Sequence, residues 1–223
     1  MKREIDKPMR KKTLIASIIA TALWFALFVA FIPLAVLGKV PNDASRYLAI
    51  VSVLPMIWIP FVLLLFRVRF DFTVLLVYLV FIFLATLVGS GWSVYQMVSW
   101  YDTVIHFGSG VLIGFVGYTL ISRNSKSKLE YFWLFIFVMA FAMLCGGVWE
   151  IYEFTGDCLT GSDMQVSAGF VGQKALWDTM IDLVCDFAGS VLAAICCMFL
   201  ERSKRKNALK QEETDGQVGI KIE

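Results

Sequence analysis

The chain has 223 residues, is 59% hydrophobic and carries a formal net charge of +2; its mean hydropathy is +0.74. A soluble domain of this size cannot hide that much apolar surface, whereas a bilayer accepts apolar side chains on every face of a helix. No basic block is interleaved with aromatics, which argues against nucleic acid as a partner.

Residues 1–13 form a basic N-terminal segment. Six apolar stretches follow, at about 14–37, 47–66, 72–88, 103–121, 131–154 and 176–200. Each is close to the ~20 residues needed to cross a bilayer as a helix. The expected fold is therefore all-α, a polytopic transmembrane bundle of about six helices over 14–200. The first run is too long for a cleavable signal peptide, and no small-residue cleavage site follows it. The second contains Pro55 and Pro60, where a kink is expected. The loops are short except at 155–175, which is Gly- and Ser-rich and reads as irregular. The charged tail over 201–223 reads as disordered from Arg202. Five cysteines (Cys145, Cys158, Cys185, Cys196 and Cys197) have no disulfide or zinc spacing and read as small core residues.

The basic residues give the orientation. Lys2, Arg3, Lys7, Arg10, Lys11 and Lys12 precede the first span. Arg67 and Arg69 lie in the second-to-third turn, Arg123, Lys126 and Lys128 in the fourth-to-fifth loop. The tail adds Arg202, Lys204, Arg205, Lys206, Lys210 and Lys221. Only Lys39, Arg46 and Lys174 fall on the other side. The positive-inside rule then puts both termini in the cytoplasm, N-in and C-in, at the plasma membrane. Trp92, Trp100, Trp149 and Trp177 fall at the outer boundary, as an aromatic belt does.

With that topology three clusters meet at one level, the outer end. The fourth span enters with Tyr101-Asp102-Thr-Val-Ile-His106-Phe-Gly-Ser-Gly110. The fifth leaves through Trp149-Glu150-Ile-Tyr-Glu153. The sixth re-enters with Asp178-Thr-Met-Ile-Asp182-Leu-Val-Cys-Asp186. Asp102 and His106 are four apart, Glu150 and Glu153 three apart, and Asp178, Asp182 and Asp186 successive fours, so each cluster shares a helical face. At 1.5 Å per residue the Asp stripe descends about 12 Å into the apolar slab.

Six carboxylates thus gather where an ionised acid costs a few kcal/mol or more unless it has a partner or a cavity. His106 is the single histidine, and none of the six spans contains Lys or Arg. Carboxylates this close share protons or hold a cation. The cluster therefore points to a divalent metal, to proton transfer, or to a cationic ligand. Asp178, Asp182 and Asp186 are the candidate metal ligands, with the metal's identity open among Mg, Mn, Ca and Zn. His106, oriented by Asp102, is the candidate base, with Glu150 and Glu153 beside it. Ser109, in Gly-Ser-Gly, lacks a second histidine to activate it and is not read as a nucleophile. Gly110 and Gly114 have the small-xxx-small spacing of helix packing.

Together the three motifs, Tyr-Asp-x3-His-Phe-x-x-Gly, Trp-Glu-x-x-Glu and Asp-Thr-x-x-Asp-x3-Asp-x-x-Gly, resemble those of the YjdF-like membrane proteins. That is a bacterial family long classed as a domain of unknown function. The resemblance covers about 92–190. More distantly the chain is similar to the VanZ-like proteins, which pair an Asp-x3-His-Phe-like motif with a Glu and a later Asp and have been proposed to act on lipid or lipid-linked head groups. That resemblance implies a site of Asp102, His106, Glu150 and Asp178 or Asp182, with membrane lipid or a lipid-linked phosphate as substrate.

Three functions fit the residues: a metal-assisted enzyme on phosphate-containing head groups, a proton- or cation-coupled transporter, and a non-catalytic membrane binding module. The single histidine excludes multi-histidine hydroxylases and desaturases. The Lys, Arg and two-His pattern of lipid phosphatases and the Gly-rich nucleotide loop are both missing.

Overall fold

A computed structural model describes residues 7–37, 44–66, 68, 70, 72–125 and 129–220. Among these described residues seven α-helices follow in order: α1 Lys7–Val36, α2 Ala44–Leu65, α3 Phe72–Ile82, the short α4 Val94–Met97, α5 Tyr101–Asn124, α6 Tyr131–Thr160 and α7 Trp177–Ile220. A π-helical stretch, Phe83–Gly91, extends α3, and a 3-10 turn, Gly172–Leu176, leads into α7. There is no strand among the described residues. Lys2, Arg3, Lys39, Arg67, Arg69, Lys126, Lys128 and Lys221, on which part of the orientation rests, lie outside the described residues.

Among the described residues five stretches are long and apolar enough to cross a membrane: Lys11–Ala30, Phe72–Gly91, Tyr101–Asn124, Tyr131–Thr160 and Gly172–Glu212. Val51–Leu65, within α2, is a shorter apolar helix. The surface is apolar and part of the interior is polar. Ile18, Leu23, Phe25, Val80, Leu144 and Phe199 are exposed, while Ser17, His106, Glu150, Asp182, Asp186 and Ser190 are buried. Water would penalise that inversion and a bilayer rewards it.

Two sets of helices build two cores. Trp24, Val53, Ile57, Leu75, Leu79 and Leu87 join α1, α2, α3 and the π-helical stretch. Tyr118, Leu134, Val138, Ala193, Ala194 and Cys197 join α5, α6 and α7. Within the second set, His106 and Gly110 of α5 face Asp186 of α7, Gly114 faces Ala193, and Tyr118 reaches Glu201. The pairs advance together, so α5 and α7 run parallel, with α6 returning between them.

Glycine sets how closely the three approach. A Cβ at Gly110 would overlap the Asp186 carbonyl, one at Gly189 the Phe107 carbonyl, and one at Gly146 the Asp186 carboxylate. The buried face of α6 steps by fours, Leu134, Val138, Ala142, Gly146 and Glu150. It is bulky at one end, small in the middle and acidic at the other.

Several elements differ from the sequence expectation. α6 runs to Thr160, six residues past the expected end, and stops where Gly161 takes a left-handed conformation (φ +68). Asp157 then fastens the turn, its carboxylate accepting from the Ser162 hydroxyl and the Met164 and Gln165 amides. Irregular chain therefore begins only at Gly161. α7 does not end near Leu200. The tail expected to be disordered continues the helix to Ile220. It is rich in Lys, Arg, Glu and Gln, which are good helix formers, and Arg205 Nε lies 2.8 Å from Glu201 Oε1 one turn back. Of the cysteines only Cys197 is buried; Cys158 is exposed and the other three are half-buried. Both prolines of the second span, where a kink is expected, lie inside α2.

Candidate functional site

His106 sits one turn into α5 and is 7% exposed. Its Nδ1 is 3.4 Å from Asp186 Oδ2, within hydrogen-bond reach. Its Nε2 is 3.6 Å from Asp102 Oδ1 and 3.9 Å from Asp182 Oδ1, too far for hydrogen bonds to either. Sequence spacing pairs His106 with Asp102 as its orienting acid. In the structure Asp186, 80 residues away, takes the hydrogen bond, and Asp102 stands at the opposite ring nitrogen.

Asp186 is itself held. The Ser109 hydroxyl lies 2.8 Å from the His106 carbonyl oxygen and donates to Asp186 Oδ1. A chain thus runs from Ser109 through Asp186 to His106. With Nδ1 as the donor, the Nε2 lone pair faces two acids. That is repulsive unless Nε2 carries a proton, making the imidazole the cation, or a separate cation lies between them. One oxygen of Asp102, one nitrogen of His106 and one oxygen of Asp182 lie within 4.8 Å of one another. Ligand atoms around a tetrahedral ion with ~2.1 Å bonds stand about 3.4 Å apart, so a small contraction would bring these three onto one ion. A metal-ligating imidazole commonly donates its other N–H to a carboxylate, and His106 has that arrangement.

Glu150 is the second unusual group. It is 6% exposed, and both carboxylate oxygens are buried with no hydrogen-bond partner. The Thr179 side chain is near but does not meet hydrogen-bond geometry. One turn along α6 from Gly146, Glu150 shares the face that touches Asp186, and it lies within electrostatic range of His106, Asp186 and Asp178. A carboxylate buried this way without a partner costs several kcal/mol in the charged form.

Glu153 and Asp178 are half-buried. Glu153 acts electrostatically on Glu150, His106 and Asp102, and Asp178 on Asp102 and His106. All seven residues singled out by motif therefore gather at one end of the α5–α6–α7 bundle. They are not equivalent: Asp102, His106 and Asp182 form the compact centre, Asp186 supports it from below, Glu150 faces it from α6, and Glu153 and Asp178 form the rim.

Tyr95 was not legible from sequence. The π-helical stretch ends with Trp92 N–H donating to Leu87 O at 3.0 Å, and Ser93 turns the chain at φ +65. Gly89 has no side chain where the Tyr95 ring packs. Tyr95 then meets Tyr101 edge-on, centroids 5.3 Å apart, within electrostatic range of Asp102, Glu153 and Asp182. Burial first, then those acids, pushes the Tyr95 phenol well above its usual value, so it stays a neutral donor. The π-helical end, the Ser93 turn and the tight approach at Gly89 together put it there.

The column of buried polar groups stops within α7. Below Ser190 come Ala193, Ala194 and Cys197, packed against Val138 and Leu134. The buried polar groups lie toward one end of the bundle, where Asp102, Glu153 and Asp178 are half-buried, and apolar packing follows on the other side of Ser190.

The model of a family described as a predicted membrane protein (DUF2238) matches residues 19–203. The chain belongs to that family. Its matched region contains all seven residues of the DUF2238 chain's acid–histidine cluster. An uncharacterized protein of Thermotoga maritima is 27% identical over 108 residues, 48% of this chain and 53% of its own length. The DUF2238 chain thus spans about half the length of that curated relative. No solved structure matches it.

Proposed function

We propose that this protein is a membrane-embedded, cation-dependent enzyme that acts on a phosphate-bearing lipid or lipid-linked head group at the outer leaflet. One observation carries the reading: His106 Nδ1 reaches Asp186 while Nε2 faces Asp102 and Asp182 at 3.6 and 3.9 Å. That disposition calls for a positive charge at the centre, and the donor set of one imidazole and two carboxylates suits a divalent metal.

Asp102, His106 and Asp182 would hold the ion. A divalent cation would supply the positive charge that a phosphoryl group requires and that the six apolar stretches of the sequence, which hold no Lys or Arg, do not. Asp186, fixed by Ser109, keeps the imidazole turned. Glu150, with both oxygens unpartnered, would accept the proton of an attacking water or hydroxyl. The new bond would form from that oxygen to phosphorus, the ester P–O bond would break, and the leaving oxygen would take the proton held by Glu150. The head-group class is what the motif resemblance to VanZ-like proteins implies. The outward orientation rests on the sequence distribution of Lys and Arg, seventeen of twenty of which fall in the segments read as cytoplasmic.

The apolar layer below Ser190 favours chemistry at one face over passage through the bundle, because Leu134, Val138, Ala193 and Ala194 offer no polar group to relay an ion between the two ends. Elemental analysis of the purified protein tests the site: about one equivalent of a divalent metal is expected in wild type and its loss in Asp182→Asn. Phosphate release from lipid-linked substrates with and without chelator tests the reaction. Undiminished turnover in chelator sinks the mechanism.

A further inference from the structure

At the opposite end of the α5–α6–α7 bundle a cavity of about 540 Å³ is lined in part by Tyr118, Arg123, Leu129, Glu201, Lys204 and Arg205. Three cations face it against one carboxylate. Its internal bonds leave donor capacity over. Arg205 Nε pairs with Glu201 Oε1 at 2.8 Å and Nη2 donates to the Leu129 carbonyl. Lys204 spends one of its three ammonium donors on the Tyr118 hydroxyl, at 3.0 Å. That hydroxyl donates in turn to Glu201 Oε2 at 3.1 Å. The single acid is thus engaged by Arg205 and Tyr118. Lys204 lies over the Tyr118 ring, 4.9 Å from its centroid, with two N–H groups remaining. The opening turn of α6, between the lining residues Leu129 and Leu134, has no side-chain cap, so its first amides point at this end with a partial positive charge.

We propose that this cavity binds the phosphate head group of an anionic lipid. Its volume is that of a pocket for a molecule well beyond inorganic phosphate. Exposed Phe132, Trp133 and Phe199 lie close along the same helices and offer apolar surface for acyl chains. A basic pocket between membrane helices at their Lys- and Arg-rich end suits such a head group. The site is separate from the acid–histidine cluster and independent of any chemistry there.

Native mass spectrometry of the full chain in micelles tests this, with phosphatidylglycerol and phosphatidylcholine as probes. Wild type is expected to retain phosphatidylglycerol and shed phosphatidylcholine. Lys204→Gln and Ser122→Asp should each weaken retention by roughly tenfold, the worth of one charge-assisted contact. Ser122 lines the cavity and is exposed, so its replacement spares the fold. Lys174→Gln, at the far end, should change nothing. Equal retention of both lipids, or unchanged retention in the folded Ser122→Asp protein, overturns the proposal. Displacement of the lipid by excess inorganic phosphate would assign the cavity to a soluble phosphate ester and overturn the lipid source.

Discussion

The Asp186 carboxylate lies against the Cα of Gly146, where a single methyl group would overlap it. The acid that orients His106 is therefore seated by a missing side chain on α6. Gly146→Ala should force it out and lower stability by about 1–3 kcal/mol, as overpacking does. Gly147, whose Cβ would meet nothing within 4 Å, is the control. Thermal unfolding in detergent should separate the two; equal unfolding temperatures would contradict the packing.

Asp186→Asn and Ser109→Ala probe the support of the imidazole rather than the ion itself. If Asp186 sets the tautomer, its amide should weaken metal affinity by roughly 10- to 100-fold without abolishing it. Asp182→Asn should abolish it. Metal titration by calorimetry distinguishes these outcomes, and equal loss in both would make Asp186 a ligand instead.

Glu150→Gln should separate folding from binding. The neutral amide removes a buried charge that has no partner, so the metal-free protein should unfold about 1–2 kcal/mol harder. Stabilisation by added metal should shrink in the same variant. A less stable metal-free variant would indicate that Glu150 is already protonated or paired.

Tyr118→Phe removes one hydroxyl that joins Lys204 to Glu201. Two hydrogen bonds to charged groups go with it, at a cost of about 1–3 kcal/mol. Unfolding in detergent measures this, and no change would mean that water replaces the hydroxyl.

Cys158 tests orientation. It is exposed near the end of α6, beyond the acidic cluster. A membrane-impermeant maleimide should label it in intact cells. Labelling only after permeabilisation would turn the site toward the cytoplasm.

Spacing made the helices and their acidic faces readable, because burial in a bundle repeats every three to four residues. It could not say which acid His106 would meet. Asp102 shares its helix, but the contact at Nδ1 comes from Asp186, across an interface whose closeness is set by Gly110 and Gly189. Tyr95 was hidden for a similar reason, since a π-helical turn shifts the register of everything after it. The tail misread because charge suggests disorder by composition, while Glu201 and Arg205 pair along a helix already started.

Because α5 and α7 are parallel, both begin beside the acids, with Asp102 and Asp178 in their first turns. Each helix start carries about half a positive charge, worth some 0.3–1 kcal/mol to a nearby anion. The macrodipoles therefore steady the carboxylates before any ion arrives and push back against one that does. The end of α6, antiparallel to both and carrying the opposite partial charge toward the same face, offsets that push, so the pull of the acids decides how tightly a cation is kept.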